Sequence, residues 1–381
     1  MPSYDVAVIG LGAMGSAALY AVARRGLRVI GFDRLQPAHR RSSSFGESRV
    51  IRLAYFEHPS YVPLLREAYQ RWRDLEAASG QRLMAITGVI EAGYPGAPLV
   101  EGSRRSSIEH GLPHKRLTAA EANARFPAFK LPAGWDVVFQ PDAGALLPER
   151  AIGLFVAGAE ALGAEARLNT RVLAVEPVAD RVEIILEGGE RVEAASAVVS
   201  AGAWIGELMS DVAAKMRLTR QPLMWFQPLE PDLVRPDRMP VFFFQTQEDL
   251  VYGLPNVCGT GVKAASHLSG GDLVSADAAR AEVSANEAEH LHGLIRRYVP
   301  AAAGALVNTS LCIYTRSPDE HFVVGLHPKA PQLVIASPCS GHGFKFASVI
   351  GEIIADLAQD RRTDRPIDLF KPERVLARQV L

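Results

Sequence analysis

Three glycines near the amino end, Gly10, Gly12 and Gly15, have the spacing of a turn that can hold a diphosphate. Gly10 permits the turn, Gly12 lets a pyrophosphate approach the backbone, and Gly15 allows a helix to pack closely on a strand. Asp33 follows 18 residues after Gly15, where its carboxylate can accept hydrogen bonds from ribose hydroxyls and repel an additional ribose phosphate. The same glycines could also do no more than pack a helix onto a sheet. Lys345 stands at the expected start of a helix, where the macrodipole favours an anion, so a cation there is easier to explain if it meets a ligand. Arg52 has a simpler reading, a surface ion pair with the nearby Glu47 or Glu57. Taken alone, Lys263 reads as a solvated strand lysine and Cys312, in an apolar run, as a small buried core residue. No histidine pair has the i, i+4 spacing with carboxylate support of a helical metal site, so no metal is expected.

The elements that must position these residues can be read from periodicity and punctuation. Residues 4–9 form a short apolar strand, 17–25 a helix ended by Gly26, and 27–32 a second strand closed by Asp33. This is a parallel pair with a right-handed crossover. A helix over 61–78 aligns Leu65, Ala68, Trp72 and Leu75, with Pro63 in its first turn and Gly80 past its end. Thr118 and Glu121 have the form of a capping box, and Pro148 begins a helix reaching about residue 162. Residues 167–200 read as a β-meander, and 218–325 as a strand-rich part carrying a charged helix over 285–298. An apolar strand at 333–337, a glycine-bearing turn and a helix over 344–359 repeat the logic of the opening unit. No internal repeat or low-complexity linker is present.

The chain has 381 residues, enough for two to three domains at roughly 150 residues each. With 41 Lys plus Arg against 42 Asp plus Glu, there is no broad electrostatic case for nucleic acid or an anionic membrane. Cys258, Cys312 and Cys339 are separated by 54 and 27 residues, which suits neither a disulfide framework nor a zinc site. With no signal peptide or membrane-spanning run evident, a soluble, cytoplasmic protein is expected. The expected class is α/β, a Rossmann-like dinucleotide-binding domain with an inserted mixed-sheet substrate domain. The first would comprise 1–80, 148–217 and 326–381, and the second 81–147 and 218–325.

The glycine motif does not by itself separate NAD from FAD. Its form, GLGAMG, is one found in NAD-dependent hydroxyacid dehydrogenases, but those enzymes have a largely helical second half. Here the second half alternates strands with turns, which favours FAD, whose longer body needs contacts from several segments. The chain resembles the monomeric sarcosine oxidases and N-methyltryptophan oxidases, with L-pipecolate oxidase as a relative. The resemblance runs from residue 4 to about 358. It is densest in 10–33, FGESRVIRLAY at 45–55, CIYTRSPDEHF at 312–322 and SGHGFK at 340–345.

The resemblance implies FAD joined covalently through the sulfur of Cys312. It implies further that Arg52 and Lys345 hold a substrate carboxylate, that Tyr252 and Tyr314 line the substrate face with His267 beside them, and that Lys263 lies near the oxygen-reacting face. Cofactor contacts would come from Gly10, Gly12, Ala13, Met14, Gly15, Asp33, Arg34, Ser44, Arg49, Val172, Ser200, Gly202, Trp204, Gly341, His342, Gly343, Phe344 and Lys345. The implied activity is oxidation of a secondary amino acid, N-methyl or cyclic, to an imine, with dioxygen as final acceptor and hydrogen peroxide as product. The alternatives are a flavin dehydrogenase passing electrons to a carrier, an NAD-dependent hydroxyacid dehydrogenase, and a non-enzymatic flavin-fold subunit. A monomer is expected. Two departures stand out: Phe45 where the family commonly has histidine, expected to put an aromatic wall beside the flavin, and Pro338-Cys339 where it commonly has Gly-Phe. Both point towards a larger or more apolar substrate than sarcosine.

Overall fold

In the computed structural model, which describes residues 3–267, 271–278 and 282–376, the opening segment forms the expected strand–helix–strand unit. Tyr4–Ile9 and Val29–Phe32 pair in parallel, with Val6 opposite Val29 and Ile9 opposite Phe32. The helix between them is Ala13–Ala23 rather than 17–25. It starts inside the glycine motif because Gly12 serves as N-cap, its carbonyl already accepting the Ser16 amide at 3.0 Å.

These strands belong to an eight-stranded sheet centred on Arg191–Val199, which runs parallel to Tyr4–Ile9 on one side and to Ala330–Ser337 on the other. The expected meander exists as Val172–Val178, Arg181–Leu186 and Arg191–Val199, joined antiparallel, but its last strand continues into the parallel core. The burial of that strand explains the change. Its first half alternates buried and half-buried residues, while 196–199 is buried throughout, as parallel strands covered on both faces are. After Ala330–Ser337 the chain makes a 3-10 turn, Phe344–Phe346, and then the helix Ala347–Asp360, which packs across Ala13–Ala23.

A nine-stranded sheet combines Val89–Gly93, Lys115–Thr118 and Asp136–Gln140 with six strands between residues 217 and 316. Val241–Gln245 lies parallel to Val89–Gly93, and the other pairings are antiparallel. Leu306–Arg316 pairs along Arg217–Phe226, which puts Cys312 opposite Gln221. A small sheet of Arg49–Ile51, Gly144–Leu146 and Met84–Ile86 completes the set. Val323–His327 joins the eight-stranded sheet, so sheet membership changes a few residues before the boundary expected after 325.

The helix expected at 61–78 is Val62–Ser79, ended by Gly80, whose amide donates to the Glu76 carbonyl at 2.8 Å. Leu65, Ala68, Trp72 and Leu75 are its buried stripe. The Thr118–Glu121 capping box forms with both reciprocal bonds, and the charged helix is Ala285–Tyr298. Among the described residues no helix is long and apolar enough to cross a membrane.

Candidate active site

A cavity lies between the carboxyl ends of the parallel strands and the inner face of the nine-stranded sheet. Ile9, Phe32, Ser200 and Ala336 face it from the first, and Leu223, Phe243, Tyr252 and Cys312 from the second. Such a crevice outside the strand ends is where open α/β sheets bind ligands. It holds about 1710 Å³ of atom-free space including its solvent-open mouth.

At one end the glycine turn forms a cradle. Gly10 has φ 92°, and a Cβ there would stand 2.7 Å from the Ser200 carbonyl; a Cβ on Gly15 would stand 1.7 Å from the Gly10 carbonyl. Gly15 is therefore a packing residue off the cavity wall, whereas Gly10, Gly12, Ala13 and Met14 are on it. Nothing lies within 4 Å of the place a Gly12 Cβ would take, which leaves its backbone and the first-turn amides of the helix open to a ligand. Asp33 lines the cavity and accepts the Leu11 and Leu35 amides at 2.8 and 2.9 Å. Burial raises its pKa. Beyond it Arg34 stacks over Trp204 at 5.3 Å, and Trp204 Nε1 donates to Asp277 at 2.9 Å. Ser44, Arg49, Val172, Ser200, Gly202, Gly341, His342, Gly343 and Phe344 also face the cavity.

The other end is built from buried charges. Arg52 is 1% exposed and lies over Tyr55, Phe56 and Phe243 at 4.3, 4.5 and 5.4 Å. It is not the surface ion pair that its sequence neighbours suggest, although one suggested partner is right: its Nη2 donates to both Glu57 oxygens at 2.9 and 2.7 Å. Burial opposes the Glu57 charge, but Arg52, His342 and Lys345 outweigh it and hold the carboxyl at about 2. Lys345 Nζ donates to the His342 carbonyl at 2.7 Å and to Tyr55 Oη at 3.3 Å. Burial, reinforced by Arg52, lowers its pKa to about 7. Its backbone is fixed as well, since Trp72 Nε1 donates to the Lys345 carbonyl at 2.8 Å. Lys345 occupies the 3-10 turn before the helix, with no anionic group at that helix start to pair with.

Tyr252, Tyr314 and His267 form one aromatic group on the wall, with His267 5.6 Å from Tyr314 and 6.4 Å from Tyr252. Burial lowers His267 to about 4, so it is neutral at ordinary pH. His342 has both nitrogens engaged, Nε2 with the Glu320 carbonyl at 3.0 Å and Nδ1 with Tyr55 Oη at 2.7 Å. The first must donate and the second therefore accepts.

Cys312 faces the cavity and its thiol donates to the Ser43 carbonyl at 3.2 Å. Lys263 does not line the cavity. It is buried behind the wall, donating to the Gly46 and Ser48 carbonyls at 2.8 and 2.7 Å, with its pKa well below the usual lysine value through burial and the Arg49 charge. Phe45 is half-buried, lies against Arg40 and is likewise off the wall, so the expected aromatic wall at this point is not formed by it. Cys339 does line the cavity. Glu57, Phe56 and Phe243 face the cavity without having been singled out in the sequence; the one signal for Glu57 was its nearness to Arg52.

Residues 5–357 match the family model for FAD dependent oxidoreductases. The chain belongs to this family. It is 35% identical over 380 residues to a monomeric sarcosine oxidase of Streptomyces avermitilis, covering 99% of each chain. It is 31% identical over 369 residues to the N-methyl-L-tryptophan oxidase of Yersinia pestis, covering 96% of this chain and 97% of that one. Among solved structures, NikD, an amino acid oxidase essential for nikkomycin biosynthesis, superposes with a TM-score of 0.86 at 25% identity, covering 98% of each chain. L-proline dehydrogenase from P. horikoshii shares the fold with a TM-score of 0.85 at 19% identity, again over 98% of each.

The family's cofactor fits the residues present. The open backbone at Gly12 and the helix start offer amides to a pyrophosphate. Asp33 offers a carboxylate where a ribose would lie, and the cavity continues without a partition to Cys312 and Lys345. This FAD dependent oxidoreductase thus sets a dinucleotide cradle and a cationic pocket in one enclosure.

Proposed function

We propose that the protein oxidises the C–N bond of a secondary amino acid, N-methyl or cyclic, and returns the electrons to dioxygen as hydrogen peroxide. The observation that carries this is the pair of buried cations, Arg52 and Lys345, in the same cavity as the dinucleotide cradle. When bound, FAD supplies the two-electron acceptor, and the protein supplies position and charge. Arg52 and Lys345 hold the substrate carboxylate, while Tyr252, Tyr314 and His267 wall the amine side and exclude water. His267, neutral at ordinary pH, does not repel an ammonium and so favours neither its capture nor its exclusion. Cys312 is the attachment point for a covalent flavin, supported by its place on the wall. Lys263 is the cation that assists the reaction with oxygen, acting from behind the wall through its buried charge. The eight-stranded sheet and its helices are the FAD-binding domain, and the nine-stranded sheet the substrate domain. The protein works as a cytoplasmic monomer, in keeping with three unpaired cysteines.

The position of Lys263 favours one second reading, a dehydrogenase that hands electrons to a carrier, since a lysine engaged by two carbonyls meets oxygen less readily than one on the wall. Peroxide release from a panel of N-methyl and cyclic amino acids, together with acid precipitation of the protein, decides between them. Yellow colour retained in the pellet, lost in Cys312→Ser, with peroxide formed from a secondary amino acid, is the expected result. Turnover only with an artificial electron acceptor would refute the oxidase.

A further inference from the structure

Glu91 lies on Val89–Gly93 and has no solvent exposure. Its Oε2 accepts from Gln140 Nε2 at 2.6 Å, and Gln140 cannot turn, because its own oxygen accepts the Ala54 amide at 3.0 Å. Glu91 Oε1 has no hydrogen-bond partner among the described residues, and neither does Arg52 Nε, 3.9 Å away. That separation is beyond a hydrogen bond. Arg52 is meanwhile committed elsewhere, to the Ala54 carbonyl at 2.8 Å and to both oxygens of Glu57. Among the described residues, the titratable and polar groups that act on Glu91 are Arg52 and Glu57 from the segment after Arg49–Ile51, Gln140 from Asp136–Gln140 and the Ser103 hydroxyl from Pro98–Glu109, while apolar Phe243 and Val138 flank it in the sheet. Arg52 is the cation among these groups, and it already has a carboxylate in Glu57.

The charges then limit what can bind. Arg52 and Lys345 supply two positive charges and Glu57 one negative. A bound carboxylate balances the site. An ionised Glu91 would add a third negative charge, fully dehydrated, with Gln140 donating to it at 2.6 Å and Ser103 facing it, which is costly.

We infer that Glu91 sets the affinity of this pocket for carboxylates: it is protonated in the complex, so binding a carboxylate above neutral pH draws a proton onto Glu91. This rests on the reading of Arg52 and Lys345 as the carboxylate anchors and adds a residue that touches neither the ligand nor the cofactor. Burial, opposed by Arg52, raises Glu91 to about 7, in the range where such coupling is felt.

The test is calorimetric binding of cyclopentanecarboxylate, which has the anion without an amine, to the flavin-loaded protein between pH 6 and 9. Wild type is expected to lose affinity above neutrality through both Lys345 and Glu91. Glu91→Gln, uncharged and of the same shape, is expected to match wild type within about twofold at pH 6. At pH 8.5 it should bind about tenfold tighter, with one fewer proton taken up when buffers of different ionisation enthalpy are compared. Glu91→Leu, which also cannot ionise, should share the shallower slope and guards against a fault peculiar to glutamine. Equal slopes in wild type and both variants would overturn the inference, as would loss of binding at every pH. Arg52→Gln separates the two levels. If it leaves binding unchanged, the carboxylate-anchor reading fails and takes this one with it; if it abolishes binding while the Glu91 slopes stay equal, only the Glu91 role fails.

Discussion

Lys345→Met should make the ligand-free protein more stable while depriving it of carboxylate binding. The folded pKa of about 7 lies below the ordinary lysine value of 10.5. At about 1.4 kcal/mol per pH unit, that gap corresponds to roughly 5 kcal/mol spent keeping Lys345 charged in its buried site. The sign follows from the direction: the penalty is fully present below about pH 7 and vanishes as pH rises towards 10.5. Methionine removes it but also removes the bonds to the His342 carbonyl and Tyr55 Oη, worth about 1 kcal/mol each. A net gain of about 2–4 kcal/mol remains at pH 7. With an unfolding entropy of about 2.1 cal/mol/K per residue, a chain of 381 residues converts this to a rise in Tm of about 2–5 °C. Thermal melts of the variant and wild type at pH 6.5 and pH 9 measure it, and the difference should shrink at the higher pH. Adding cyclopentanecarboxylate should raise Tm in wild type and not in the variant. A variant no more stable than wild type at pH 6.5, or an advantage that does not decline with pH, would refute the claim that Lys345 is held there at a cost for a ligand.

Trp72→Phe keeps the ring but loses the donor to the Lys345 carbonyl, and should lower stability by about 1–3 kcal/mol, read by denaturant unfolding, with a higher KM as the turn loosens. Gly15→Ala should abolish FAD retention, seen as a colourless preparation, because the added carbon would stand 1.7 Å from the Gly10 carbonyl. Lys263→Met should leave anaerobic flavin reduction intact and slow reoxidation by oxygen in stopped-flow absorbance by at least tenfold, on the order of a lost electrostatic contact. Glu57, held at about 2 against 4.5, stabilises the fold above pH 4.5 and loses that contribution as pH falls towards 2; Glu57→Gln should flatten the acid limb of a pH-melting curve in that window.

Local signals carried much of the fold. The glycine turn, the Thr118–Glu121 capping box and the stripe Leu65–Ala68–Trp72–Leu75 depend on neighbours within a turn or two, and each appears as local structure at the expected residues. The start of the first helix was displaced because backbone capping by Gly12 leaves no side-chain mark. Sheet order was not legible: nothing in Arg191–Val199 says that one half completes a hairpin and the other half lies between two parallel strands, Tyr4–Ile9 and Ala330–Ser337, each more than a hundred residues away in sequence. At the site, Arg52 was visible through resemblance, but its burial and aromatic enclosure depend on Phe243, brought from a distant strand. Glu91 gave no signal, since a single glutamate in an apolar strand has meaning only when the segment bearing Arg52 folds over it. Lys263 and Phe45, expected beside the flavin, are both outside the cavity lining, Lys263 buried and held by the Gly46 and Ser48 carbonyls.

The two ends of the cavity meet negative charge by different means, and the difference follows from what each must do when its ligand is absent. The cradle at Gly10–Gly12–Met14 presents backbone amides and a helix start, partial charges that need no counter-ion and cost little to leave in water. That suits a cofactor that stays. The Arg52–Lys345 end uses full charges in a dehydrated, aromatic enclosure, and these must be compensated in the free protein as well. Glu57 does so for Arg52, and Lys345, with a pKa of about 7, sheds its own charge only above neutral pH. On the proposed reading, a substrate carboxylate would gain less than the bare Coulomb attraction, because it would have to displace or share with Glu57 and recharge Lys345. On that reading the same compensation would give selectivity: a neutral amine could neither compete with Glu57 nor restore the lysine proton, and so would lack the anchor proposed for an amino acid.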